Sequence, residues 1–421
     1  MPQETITGLE TASMRRSFVA LILLLLVAVP GLAHHTEREG QTPGGAYYRI
    51  VVPDNWNGSL VLYNHGFSLS PPGPDVDLGL LQDVQDLQGF AVAASSYRQS
   101  GWALFKSTQD LRELVDVFRA EFGEPESVFV YGGSLGGLVT IAAVEKGGLG
   151  NVVGAVSFCG VIGGSRNWNG ALDLRLVYDQ VCSGIPAARL PGGAAGLPKN
   201  SSMTPGEVAA AVNACTGVDL DPSQRSNKQK RNLRTLLKVT ALPENFLQTV
   251  MGYVTFGMGD LVHSRDKLRG KVGLGNADVD YGNKKINRKI ERVEPNRRGA
   301  RKLAKSYTPT GKLGDTKVVA IHTDKDGLVI VENMGEYAKL APPENFTTAV
   351  VVEETPSHCI FSVSEGLAAW EGLLDWVESG VQPSASDLQA LCQDFEPVFG
   401  GPCRIDPSFV IPDMDGRIRP R

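Results

Sequence analysis

Gly132-Gly133-Ser134-Leu135-Gly136-Gly137 is the segment of this 421-residue chain whose residue types point most directly to chemistry. It follows the apolar run Ser127–Tyr131 and opens a helical pattern, the strand–turn–helix setting of a G-x-S-x-G nucleophile elbow. Glycines at such a turn let the backbone double back without Cβ collisions and hold the serine in a strained conformation. The hydroxyl is then presented to a substrate, and the N-terminus of the following helix favours developing negative charge. Phosphate binding is the competing use of a glycine-rich turn. Ser134 stands where G-x-G-x-x-G needs its second glycine, however, and the segment carries no Walker lysine.

A serine hydroxyl is a weak nucleophile without a neighbouring base. The chain has 6 histidines. His34 and His35 flank an expected cleavage site, and His263 lies in a region without strand patterns. His322 ends a strand-like run, where a structural role is expected, and His65 belongs to another loop. His358 is the candidate base, in the turn Thr355-Pro-Ser-His-Cys359 after the last strand-like run. The acid is expected between Ser134 and His358, after Lys317–Thr323. Asp326 fits the D-x-x-V turn there, with Val329 starting a helix, and Asp324 is the reserve. Acyl transfer also needs donors to the tetrahedral oxyanion. The backbone N–H of Leu135 is one. The loop His65-Gly66-Phe67 resembles the HG-type oxyanion loop of esterases and lipases, which assigns the Phe67 N–H as the second. His65 is expected to brace that loop rather than transfer protons.

The elements that must position these residues are legible from periodicity. Apolar runs at Tyr47–Val52, Leu60–Asn64, Phe90–Ser95, Ser127–Gly132, Val153–Phe158, Lys317–Thr323 and Thr348–Glu353 read as strands. They alternate with helical patterns at Thr108–Phe122, Leu135–Lys146 and Ser364–Glu378. Buried strands between helices predict an α/β, doubly wound, mostly parallel sheet. The rhythm breaks between 164 and 311, where helical patterns and basic residues take over. This predicts a large helical cap inserted before the acid-bearing strand, with 34–163 and 312–421 forming the core. Within Lys284–Lys305 ten basic residues face only Glu291 and Glu294. They read either as a solvated face or as a rim that draws in anions. The tail beyond Val381, rich in Pro and Asp, is expected to wrap over the core.

Arg15 and Arg16, the apolar stretch Phe18–Pro30 and Gly31-Leu32-Ala33 read as a secretory signal peptide over 1–33. The expected product is a secreted or extracytoplasmic protein beginning near His34, with no transmembrane segment. Its 6 cysteines then favour disulfides. Cys392–Cys403 and Cys182–Cys215 are the expected pairs, and whether Cys159 and Cys359 pair stays open. A net charge of −5 gives no reason to expect nucleic acid. Neither a metal nor any other cofactor is expected, since no His/Cys/Asp/Glu cluster shows ligand spacing.

Taken together, His65-Gly66-Phe67, Ser96–Trp102, Gly132–Gly137, Tyr307–Gly311 and Ser357–Phe361 resemble the α/β-hydrolase superfamily, in particular secreted esterase-like and prolyl-oligopeptidase-like members. The order Ser134, Asp326, His358 is that of this superfamily, unlike chymotrypsin or subtilisin. The pair His358-Cys359 is similar to tannase and feruloyl-esterase relatives, in which a cysteine just before the nucleophile bridges to the one after the histidine. Gly133 occupies that position here. The resemblance implies a serine hydrolase acting on carboxylic esters through an acyl-enzyme. The alternatives are a serine peptidase with the same machinery and a non-catalytic scaffold of this fold. Either enzyme would act on a small-molecule or peptide acyl substrate.

Overall fold

A computed structural model describes residues 35–414. The signal-peptide segment, His34 included, lies outside them. The described chain is built on one eight-stranded sheet of order β1-β2-β4-β3-β5-β6-β7-β8. The strands are β1 His35–Gln41, β2 Tyr47–Pro53, β3 Ser59–Asn64, β4 Ala91–Ser95, β5 Ser127–Gly133, β6 Val152–Phe158, β7 Lys317–Thr323 and β8 Phe346–Val351. β2 runs antiparallel to both of its neighbours, and the pairs from β4 to β8 are parallel. That order, with its single reversal at β2, is the α/β-hydrolase fold. Among the described residues no helix is long and apolar enough to cross a membrane.

The parallel strands read as continuous apolar runs because both their faces are covered. In β5, Val128 and Val130 join one core with Leu111, Leu114, Leu138 and Ile141 from the helices Ser107–Phe122 and Leu135–Lys146. Phe129 and Tyr131 point the other way, into a core with Leu367, Trp370 and Leu373 of the helix Val363–Ser379. Alternate residues thus feed opposite layers, as strand geometry requires.

Four expectations need correction. His35, read as flanking a cleavage site, opens β1, paired in register from His35↔Pro53 to Gln41↔Tyr47. This edge strand, His-Thr-Glu-Arg-Glu-Gly-Gln, has no buried residue and so carries no apolar signature. β8 starts at Phe346, two residues before the expected Thr348. The chain beyond Val381 does not simply wrap over the core. It forms the helix Ala385–Phe399, started by a Ser384/Asp387 capping box, with Leu388, Leu391, Cys392 and Phe395 buried. Finally, the helix after β7 begins at Glu332, and Val329 lies in the loop before it.

Between β6 and β7 the elements are helices, in a segment with a core of its own that includes Leu174, Tyr178, Val212, Leu236 and Met251. It also packs on the sheet's first core through Trp168, Leu172, Met258 and Leu261. Part of its basic run serves local structure. Arg292 donates to the Asn276 carbonyl (2.9 Å) and the Val279 carbonyl (2.7 Å), and Lys302 to that of Asp266 (3.2 Å). The disulfides are Cys182–Cys215 within this segment, Cys392–Cys403 in the tail, and Cys159–Cys359.

Candidate active site

Ser134 sits where β5 ends and the helix Leu135–Lys146 begins, with φ 56° and ψ −121°. Only a well-determined surrounding holds a non-glycine residue there. The determination comes from the backbone: Ser134 N–H donates to the Phe158 carbonyl (2.9 Å), and its carbonyl accepts from Gly137 (3.1 Å) and Val161 (3.2 Å). A Cβ on Gly132 or Gly136 would collide with the Asn64 carbonyl at the end of β3. The glycines are therefore set by the close approach of β3 to the elbow. Gly133 is different, since a Cβ there would meet only Phe158, at 3.8 Å or beyond.

The loop after β8 brings His358 to this hydroxyl. His358 Nε2 lies 3.0 Å from Ser134 Oγ, and His358 Nδ1 lies 2.7 Å from Asp326 Oδ2. With Nδ1 carrying the proton it donates to the carboxylate, and Nε2 is left to accept from the serine. Asp326 is fully buried, and its Oδ1 accepts the Leu328 (2.8 Å) and Val329 (2.7 Å) amides. Its burial is thus compensated on both oxygens. The reserve candidate Asp324 is engaged elsewhere, accepting the Glu353 amide (2.8 Å). His322 is buried beside Asp326, with Nε2–H donating to the Val329 carbonyl (2.8 Å), and burial lowers its pKa. It braces the acid loop as a neutral ring and does not meet the serine.

The His65-Gly66-Phe67 loop lies alongside. A Cβ on Gly66 would sit 3.6 Å from Ser134 Cβ, which puts the neighbouring Phe67 next to the elbow. His65 turns away: its Nδ1–H donates to the Gly66 carbonyl (2.8 Å) and its ring stacks on Tyr97 at 4.2 Å. Tyr97, fully buried at φ 52°, donates to the His65 carbonyl (3.3 Å). His263 lies at the end of the helix Met258–His263 in the inserted segment.

Several supporting groups were not assigned from the sequence, and the open question of Cys159 and Cys359 is answered by a bond between them. Cys359, adjacent to His358, is bonded to Cys159, which follows the Phe158 that accepts from Ser134. The bridge therefore ties the base loop to the strand beside the nucleophile, from a partner 200 residues away rather than from position 133. Cys159, His358 and Cys359 present their ligand atoms within 4.8 Å of one another, but a disulfide has no thiolate to offer a metal. Glu353, buried at the end of β8, accepts from the Ser357 hydroxyl, and burial raises its pKa. From the inserted segment, Asn245 donates to the Pro356 carbonyl (2.9 Å), and Phe246 packs where a Gly327 side chain would stand. Apart from the local Ser357–Glu353 bond, these contacts join residues far apart in sequence, and no local pattern encodes them.

No family model matches the chain. The o-phthalyl amidase of Xanthobacter agilis is 33% identical over 113 residues, 26% of this chain and 24% of that protein. The chain thus spans about a quarter of the curated relative it matches. It is similar to solved esterases and lipases. Candida antarctica lipase A in its closed state is 12% identical, with a TM-score of 0.42, over 87% of this chain and 88% of that one. Feruloyl esterase B from Aspergillus oryzae is 12% identical, with a TM-score of 0.41, over 83% and 82% of the two chains. At such scores the fold rests on the strand order itself.

Proposed function

We propose that this protein is a serine hydrolase that cleaves carboxylic esters through an acyl-enzyme, with Ser134 as nucleophile, His358 as base and Asp326 as supporting acid. The hydrogen-bonded line from Ser134 Oγ through the His358 ring to Asp326 Oδ2, at 3.0 and 2.7 Å, carries this reading. His358 Nε2 takes the serine proton as Oγ attacks the acyl carbon, and the Asp326 carboxylate stabilises the imidazolium so formed. The oxyanion rests on the Phe67 and Leu135 amides, with the helix N-terminus behind Leu135 adding to the field. The imidazolium then protonates the leaving group, and a water activated by the same ring releases the acid.

Segment 164–311 acts in this reading as a cap over the site, supported by the contacts of Asn245 and Phe246 with the acid and base loops. Residues 1–33 act as a signal for export, and the disulfides suit an oxidising compartment. Amide cleavage is the second reading. The similarity to an amidase favours it, because the same groups serve either leaving group.

A fluorophosphonate probe on the purified mature protein tests the reading, since it labels an activated serine. Labelling is expected in the wild type and absent in folded Ser134→Ala. A labelled Ser134→Ala, or an unlabelled wild type, would leave the fold as a scaffold without this chemistry. Matched p-nitrophenyl ester and p-nitroanilide substrates then separate ester from amide cleavage by kcat/KM.

A further inference from the structure

The helical segment from Leu247 to Gly257 is two-faced. Leu247, Val250, Met251 and Val254 point into the inserted segment's own core. Thr249, Gly252, Tyr253 and Phe256, at the i, i+3, i+4, i+7 spacing of one helical face, line an open pocket of about 260 Å³. Phe67 and Leu69 line it as well. Its walls are aromatic, with the Phe67 and Tyr253 rings 5.0 Å apart at 58°. Residues Tyr253–Gly257 wind as a π-helix, a rare geometry that recurs at functional sites.

Gly252 is the informative residue. Its φ of −59° and ψ of −50° are ordinary helical values that any residue adopts. A Cβ there would meet nothing within 4 Å. Glycine weakens a helix interior, and here neither backbone conformation nor close approach calls for it. What it preserves is open space facing Phe67.

The sheet order says which part of a substrate would use that space. Phe67 follows β3, Ser134 follows β5, and His358 follows β8, so the proposed oxyanion loop and the proposed base lie on opposite sides of the serine. A leaving group protonated by His358 departs toward β8. The group that stays on the acyl carbon shares that carbon with an oxygen assigned to the Phe67 amide, and the ring of the same Phe67 lines the pocket.

We infer that the cavity is the acyl pocket, resting on the serine-hydrolase reading, and that it takes an acyl group bearing a single aromatic ring. A cavity of about 150 Å³ holds benzene, so about 260 Å³ accommodates a ring with its carbonyl link and small substituents. The ring walls favour edge-to-face and offset contacts with such a guest. The expected preference is for p-nitrophenyl benzoate over p-nitrophenyl octanoate in kcat/KM. Gly252→Leu places a side chain in the open space, and the benzoate-to-acetate ratio of kcat/KM is expected to fall by about 10–100-fold. Benzeneboronic acid is expected to inhibit the wild type more tightly than butylboronic acid, which needs no variant to fold. A wild type that prefers octanoate overturns the proposal. So does a ratio that moves less than twofold in folded Gly252→Leu that the fluorophosphonate still labels, or equal inhibition by the two boronic acids. Absence of labelling in the wild type would instead fail the serine-hydrolase reading itself.

Discussion

Asp326 and Glu371 are both buried carboxylates, one at the end of β7 and the other in the helix Val363–Ser379 on the sheet's flank. Their surroundings differ. Asp326 receives two amides and an imidazole within 2.8 Å. Glu371 receives the Gln88 side-chain amide on Oε1 (2.7 Å), and its Oε2 has no hydrogen-bond partner. Desolvation pushes the Glu371 carboxyl up to about 7. Burial with a donor on only one oxygen therefore leaves a carboxylate hard to ionise. The proposed site instead aims donors at both oxygens.

The largest way to break the contrast is Asp326→Asn, which keeps the shape and removes the charge. The expected loss is about 10⁴-fold in kcat, as for loss of the acid from other triads, while circular dichroism shows the fold retained. A loss below tenfold would mean the acid does not orient His358.

The two regions also carry one disulfide each. Replacing Cys159 and Cys359 by serine frees the base loop from β6. A displacement of this kind costs on the order of 10²-fold in turnover, with about 2–5 kcal/mol of stability. Replacing Cys392 and Cys403 is expected to lower Tm while kcat stays within about twofold, because this bridge joins the tail helix to the segment after it and does not hold His358. Ester hydrolysis and thermal melts on the two double variants check this, and equal effects on kcat would erase the distinction.

Glu371→Gln gives the smallest effect and the sharpest sign. A carboxyl whose folded pKa lies above its unfolded value favours the fold when protonated. That contribution is complete below the ordinary value of 4.5 and is lost as pH rises through about 7. The variant is expected to match wild type near pH 4 and to exceed its stability at pH 8 by about 3 kcal/mol at most. Urea unfolding at the two pH values measures it. A variant less stable than wild type at pH 8 would refute the account.

Legibility followed physics. β2 to β8 carry apolar signatures because layers cover both their faces, whereas β1 stays at an edge with every residue at least partly exposed. The tail helix had the i, i+3, i+4, i+7 set Leu388, Leu391, Cys392 and Phe395, masked by the Pro and Asp around it. Ser134, Asp326 and His358 could be singled out because each follows a strand, and the structure brings them into one hydrogen-bonded line. Cys159 and Gly252 could not, because their meaning lies in a bond between distant segments or in empty space.

The bond between Cys159 and Cys359 encloses all of segment 164–311 in one covalent ring. A protease that nicked that segment once would not release two fragments, because the halves bearing Ser134 and His358 would stay joined through sulfur. The two halves would remain one molecule, separable only by a reductant.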